Sequence, residues 1–218
     1  MLPGPPLIFK CPHCKWEKKL MSLISGNTLG GHQWWDFKVY YPKLPKLSRV
    51  QKCPHCGKYF MLSEAESAYG GIGDYSGDLG ILSHAELREA WAQMKDSLEG
   101  DPRNSFLLEY LWAFNDTFQR ELPPMDSYTK RYEARISPVS PTEEEWAEFT
   151  EIVRELVASL PVENRLVYAE FLREARLFDE AMAVVEQEGE QKEAPYDIME
   201  KIIREKCLAR DSRVGFFQ

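Results

Sequence analysis

The chain has 218 residues, of which 44% are apolar, 12% aromatic and 28% charged, and its formal net charge is −8. This composition is typical of a globular protein and excludes a disordered chain, and the length is enough for a small module plus a helical domain. No apolar run reaches the roughly 18 residues that a membrane-spanning helix needs. The first residues also lack the basic and apolar regions of a secretory leader. We therefore expect a cytoplasmic protein with no membrane contact.

Four of the five cysteines lie in two copies of one tetrapeptide, Cys-Pro-His-Cys, at residues 11–14 and 53–56. Two such pairs supply four thiolates, which zinc binds in tetrahedral geometry with no position left for water. The sequence therefore predicts one structural Zn²⁺ per chain, and its ligands are Cys11, Cys14, Cys53 and Cys56. The fifth cysteine, Cys207, lies in a helical pattern and is expected to be a buried, inert thiol.

Two other interpretations of the cysteine motifs stay open. Iron in a rubredoxin-like site uses the same two knuckles, so iron is the alternative metal. Cys-Pro-His-Cys is also the active-site sequence of thioredoxin-class oxidoreductases, although that fold needs a strand before the motif and a helix after it. The motif histidines, His13 and His55, are expected to be exposed, because four thiolates already satisfy zinc.

Short apolar runs flank both motifs, as they do in a zinc ribbon. Residues 7–9 lead into the first motif and residues 58–62 leave the second. Between the motifs, alternating side chains predict a strand over residues 34–41, with Trp34, Asp36, Lys38 and Tyr40 on one face. No strand pattern follows Leu62.

The glycine-rich residues 68–82 predict a linker between two domains. A zinc ribbon is predicted over residues 1–67 and an all-α domain over residues 83–218. The expected fold class is therefore α+β.

Helical periodicity begins at residue 83. Capping boxes, in which a hydroxyl and a glutamate three residues later bond each other's backbone, are predicted at Ser83 and at Thr142. A second helix is predicted to open at Asp101. The last three predicted helices cover residues 163–175, 178–188 and 195–209.

Charge is unevenly distributed along the chain: residues 1–62 carry +8 and the remainder −16. Aromatic and basic residues alternate between the two motifs, over residues 34–49, in a pattern that could stack bases and meet phosphates. The candidate contact residues are Trp34, Trp35, Lys38, Tyr40, Lys43 and Lys46. The favoured interpretation is that these aromatics instead cover the small ribbon and pack against helices.

Residues 164–182 resemble a tetratricopeptide-type helix-turn-helix. Ala169 and Ala181 match the small packing positions of that family, and Phe178 matches its aromatic position, whereas Arg176 replaces the usual turn glycine. The whole chain resembles a group of uncharacterised bacterial proteins that join an N-terminal Cys-Pro-x-Cys zinc ribbon to tetratricopeptide-like helices. The resemblance implies this architecture and implies no activity.

Three functions are compatible with these features. The favoured one is a non-enzymatic interaction module, in which the zinc ribbon is a rigid platform and the helical domain binds a protein or peptide. The first alternative is a nucleic-acid or ribosome contact through the basic aromatic residues, and the second is a thiol-disulfide redox protein. No hydrolase or phosphate-binding motif occurs in the sequence.

Overall fold

The computed structural model describes residues 2–20, 22–41, 44, 48–69, 80–121, 140–161, 165–187 and 196–217. Within these residues the protein is α+β, as predicted, with short strands in the N-terminal part and helices after them. The strands are β1 Leu2–Pro3, β2 Leu7–Lys10, β3 Glu17–Leu20, β4 Leu23–Ser25, β5 His32–Gln33, β6 Val39–Tyr40, β7 Val50–Lys52, β8 Tyr59–Met61 and β9 Glu66–Tyr69. The helices are α1 His84–Met94, α2 Gly100–Phe118, α3 Glu143–Ser159, α4 Arg165–Glu174, α5 Phe178–Glu186 and α6 Tyr196–Leu208. None of these helices is long and apolar enough to cross a membrane.

Contacts divide the chain into two compact units. The first unit contains Met1–Gly31 and Tyr41–Ala113, and the second contains His32–Tyr40 and Phe114–Gln218. A short segment between the two cysteine motifs thus belongs to the same unit as the C-terminal helices. The predicted domains, 1–67 and 83–218 with a linker at 68–82, remain a prediction about which pieces of chain fold independently. Residues 70–79 of that linker lie outside the described residues.

The first unit is built on three antiparallel sheets. Strand β2 pairs with both β3 and β9, β7 pairs with β8, and β1 pairs with β4. The predicted strands next to the two motifs are confirmed by β2 and β8. The expectation that no strand follows Leu62 is wrong, because β9 comes four residues later. Only Glu66 and Ser67 of its four residues are polar, and the first three residues are exposed. Pairing with the edge of β2 overrides their weak strand propensity.

The predicted strand over residues 34–41 is a hairpin instead, formed by β5 and β6. The amide of Trp34 donates to the carbonyl of Lys38 at 2.9 Å, and Phe37 has a left-handed φ of 61°. Asp36 favours this turn because its carboxylate accepts a bond from the Lys38 amide at 3.2 Å. Trp34, Asp36 and Tyr40, which the alternation had placed on one face, are all buried.

Helix α2 supplies a carboxylate that fixes the chain entering β7 in the first unit. Glu109 accepts hydrogen bonds from the hydroxyl of Ser48 at 2.6 Å and from the amide of Val50 at 3.2 Å, and a third bond comes from the amide of Arg49. One carboxylate thereby satisfies three donors just before the second cysteine motif.

The helices of the second unit follow the sequence pattern closely. The capping box of Thr142 and Glu145 begins α3, as the box of Ser83 and Glu86 begins α1 in the first unit. The α3 residues at helical spacing are buried: Trp146, Phe149, Ile152, Val153 and Leu156. The ring of Phe149 stacks on Phe114 of α2 with centroids 3.8 Å apart.

Helices α4 and α5 form the predicted helix-turn-helix. Ala169, Ala181 and Phe178 are buried, as the small and aromatic packing positions require. Arg176 ends α4 with a left-handed φ of 62°, and the amide of Leu177 reaches the carbonyl of Leu172 at 2.9 Å. Helices often end in this way, but the residue with the left-handed φ is usually glycine, whereas here it is arginine. The guanidinium of Arg176 lies 3.7 Å from the ring centroid of Trp146, an attraction that offsets the strain.

We predict that Glu109→Gln lowers the free energy of unfolding by about 1–2 kcal/mol, because charge-assisted bonds are stronger than neutral ones and an amide presents one acceptor oxygen instead of two. Chemical denaturation of the full chain measures this. The control is Glu99→Gln, a change at an exposed position, which should leave stability nearly unchanged. Equal midpoints for both variants would show that Glu109 does not fix this segment.

Candidate metal centre

The two cysteine motifs fold into matching turns in the first unit. In the first turn, between β2 and β3, the Lys15 amide donates to the carbonyl of Cys11 and the Cys11 amide to the carbonyl of Trp16, each at 2.9 Å. In the second, between β7 and β8, the same bonds run from Gly57 to Cys53 at 2.8 Å and from Cys53 to Lys58 at 2.9 Å. The repeated bonding gives the two motifs one local conformation, here called the knuckle turn.

These turns bring the four cysteine sulfurs together. All four Sγ atoms lie within 4.8 Å of one another. The Cys11 and Cys56 sulfurs are 3.8 Å apart, and those of Cys14 and Cys53 are 3.7 Å apart. A zinc ion with bonds of about 2.3 Å to each thiolate requires tetrahedral edges of about 3.8 Å. The sulfur cluster therefore has the size and shape of a four-thiolate metal site, and the predicted ligands are brought together.

Apolar side chains surround the sulfurs. Cys11 and Cys53 are buried together with Phe60, and Trp16 and Ala65 pack against this cluster. Burial of this kind limits access of water and stabilises metal–thiolate bonds. The histidines of the motifs are exposed, as expected; His13 Nε2 lies 3.1 Å from the carbonyl of Tyr59.

Burial and backbone dipoles act on the thiols in opposite directions. Burial raises the pKa of Cys53 to about 12. The Lys58 amide, which donates to the sulfur of Cys56, lowers the pKa of that thiol to about 7. Buried thiolates close together need a cation to balance their charge, which both zinc and iron supply. Burial also raises the pKa of Cys207 to about 11, and this thiol is buried as expected.

The predicted aromatic-basic contact residues do not share one exposed surface. Trp34 and Tyr40 are buried in the core of the second unit, and Trp35 is partly buried. Lys38 forms an ion pair with Asp116. Lys43 and Lys46 lie outside the described residues. Nucleic-acid binding stays a prediction, and its stacking residues would have to be other than Trp34 and Tyr40.

The second unit contains a set of buried polar side chains, here called the buried network, whose burial was not predicted from the sequence. Helical periodicity indicates which apolar residues of a helix are buried, and it gives no sign that charged neighbours are buried with them. The one available signal is the spacing of opposite charges at three and four residues within each helix. The members of the network are Asp36, Asn115, Asp116, Gln119, Arg120, Glu170, Arg173 and Glu174.

Two arginines organise the buried network. Arg120 donates two hydrogen bonds to Asp36, at 3.1 and 2.5 Å, and another to Asp116, while its guanidinium lies 4.7 Å from the ring centroid of Trp34. Arg173 donates two bonds to Glu170, at 2.8 and 2.5 Å. Bidentate pairs of this geometry satisfy both partners, which buried charges require.

We predict opposite effects for two substitutions at equivalent positions of the knuckles. Gly57 has a φ of 72° and Lys15 a φ of 60°, a region that costs residues other than glycine about 1–2 kcal/mol. Gly57→Ala should weaken metal binding by roughly that free energy, since open space around Gly57 leaves strain as the only cost. Lys15→Gly should strengthen it slightly. Competition with a metal-binding dye measures both affinities. If both variants bind the metal as tightly as the parent protein, strain in the turns does not affect metal affinity.

The chain matches no protein-family model, and no curated protein and no solved structure is significantly similar to it. The likeness to zinc ribbons and tetratricopeptide helices therefore remains a hypothesis from the sequence. The four-cysteine site itself is defined by its geometry in this chain.

Proposed function

We propose that the protein is a non-enzymatic, cytoplasmic interaction module, in which one structural zinc ion stabilises a ribbon and the C-terminal helices bind a protein or peptide. The observation that carries the metal part is the cluster of four cysteine sulfurs with edges of 3.7 and 3.8 Å. Four thiolates complete the coordination of zinc, so the ion has a structural role and activates no water.

The pairing of the sulfurs favours a metal site over a redox site. Each of these two close contacts joins sulfurs of different knuckles, Cys11 with Cys56 and Cys14 with Cys53. A dithiol enzyme would use the two cysteines of one motif, following a strand and opening a helix. Here both motifs connect two antiparallel strands. This context supports four ligands of one ion, and zinc is the ion we propose because it holds four thiolates without redox chemistry.

The partner-binding part rests on the surface of α6. A depression of about 400 Å³ is lined by Asp197, Glu200, Lys201, Arg204, Glu205 and Leu208. Leu208 is 78% exposed, and charges of both signs surround it. An apolar side chain within a mixed-charge rim suits a polypeptide carrying an apolar residue between charged ones. The tetratricopeptide-like sequence of the preceding helices agrees with such a role.

The metal prediction is one zinc per chain, with Cys11, Cys14, Cys53 and Cys56 reacting with thiol reagents only after chelation. Cys53→Ser should abolish stoichiometric binding and unfold the ribbon strands, because binding and folding of such sites are coupled. Elemental analysis and thiol counting measure these outcomes. Cys207→Ala, which removes a thiol outside the cluster, should retain the zinc. Iron in the purified protein, or reversible disulfides between the motif cysteines, would refute the zinc proposal.

The binding prediction concerns Leu208. Affinity capture with the full chain should recover a reproducible protein partner, and Leu208→Asp should reduce its recovery at least about tenfold, as loss of a central apolar contact does. The matched control is Ile24→Asp, which places the same charge at another exposed apolar position, 67% accessible, in the first unit. Capture that is empty, or equal for both variants, would argue against α6 as the binding surface.

A further inference from the structure

The buried network contains one more carboxylate than its cations pair with. Arg120 forms ion pairs with Asp36 and Asp116, and Lys38 also pairs with Asp116. Arg173 forms an ion pair with Glu170. The fourth carboxylate, Glu174, is fully buried one turn after Glu170 on α4. Within the described ranges of the chain, these pairings leave Glu174 without a cation of its own.

The N–H donors of the two amide side chains, Asn115 and Gln119, are all used. Asn115 Nδ2 donates to Asp36 Oδ2 at 3.1 Å and to Glu174 Oε2 at 2.9 Å. Gln119 Nε2 donates to Asn115 Oδ1 at 2.7 Å and to the backbone carbonyl of Glu174 at 3.2 Å. An amide nitrogen carries two hydrogens, so neither side chain has a donor left.

Two buried acceptors then lack a donor. Within the part of the chain that the structure describes, neither Glu174 Oε1 nor Gln119 Oε1 receives a hydrogen bond. Buried polar atoms are almost always bonded, and an ionised carboxylate can only accept hydrogen bonds. A proton on Glu174 converts one of these acceptors into a donor.

The charges that face Glu174 also favour the proton. Asp36 of the hairpin and Glu170 of α4 are negative. The side chains of Asn115 in α2 and of Gln119, just after the end of α2, are neutral, and the positive Arg173 is engaged by Glu170. Burial, reinforced by Glu170 and Asp36, holds the pKa of Glu174 well above its usual range.

We propose that Glu174 is a neutral carboxylic acid in the folded protein, and that its proton stabilises the packing of the hairpin His32–Tyr40 against α2 and α4. The hairpin is linked to Glu174 through Asp36, because the amide of Asn115 donates a hydrogen bond to each of these two carboxyl groups. Loss of the proton leaves a third negative charge beside Asp36 and Glu170, and the hairpin is then released more readily.

The direction of the pH effect follows from the raised pKa. An unfolded chain releases this proton near pH 4.3, about the ordinary value for glutamate, whereas the folded chain keeps it. The folded state therefore binds more protons above that pH, and stability falls as pH rises towards the folded pKa. The contribution of Glu174 is complete at acid pH and is lost at alkaline pH.

The test compares Glu174→Gln with Glu170→Gln in the full chain. Glutamine keeps the shape of Glu174 and carries donors without charge, so E174Q should raise the melting temperature by about 3 °C or more at about pH 8 and by less at about pH 5. E170Q, which breaks the pair with Arg173, should lower it at both. In hydrogen exchange at about pH 8, the amides of Trp34 and Trp35 should exchange faster in the parent protein than in E174Q.

Infrared spectroscopy of the parent protein tests the proton directly and does not depend on how the variants fold. A carbonyl band of a protonated acid at neutral pH, absent from E174Q, is the expected result. A spectrum with ionised carboxylates alone would overturn the proposal, because a water molecule or another donor would then serve the two acceptors. Equal destabilisation by E174Q and E170Q at both pH values would overturn it as well.

Discussion

Mutual repulsion of four thiolates is the constraint on which the first unit depends. Where sulfurs 3.7 to 3.8 Å apart are ionised and partly shielded from water, a cation must balance their charge; without one they take up protons or separate. The strands around them are two to four residues long, too short to be stable as isolated hairpins. Phe60 and Trp16 pack on the cysteines themselves, so the metal site is also the hydrophobic centre of this ribbon. We therefore expect order in these strands to depend on occupancy of the site by a metal ion.

Local patterns predicted much of the fold. The cysteine spacing predicted which four sulfurs the fold brings together, because two Cys-x2-Cys pairs leave few geometries that satisfy every sulfur. The capping boxes at Ser83 and Thr142 located the starts of α1 and α3, since the bonds that define them lie within four residues. Apolar spacing marked the buried face of α3 correctly. Each of these features depends on neighbours in sequence, which is why a single sequence contains them.

Features that depend on distant partners were missed. The alternation in residues 34–41 suggested a strand, but the carboxylate of Asp36 turns the chain, and Arg120 then pairs with that carboxylate from 84 residues away. Strand β9 forms because β2 offers an edge, which its own polar residues do not reveal. Burial of Glu170 and Arg173 depends on their mutual pairing, and the same residues on an exposed helix would have given the same sequence pattern.

The position of the hairpin between the two knuckles has a topological consequence. When a metal joins Cys14 to Cys53, the intervening chain becomes a closed ring, and His32–Tyr40, which packs within the second unit, lies near its middle. A ring restricts the positions that this segment can explore once it leaves its helices, so its release gains less chain entropy. Opening the ring restores that freedom without altering any contact of Trp34 or Asp36. Metal occupancy can thus change how firmly the helices retain the hairpin through chain entropy alone.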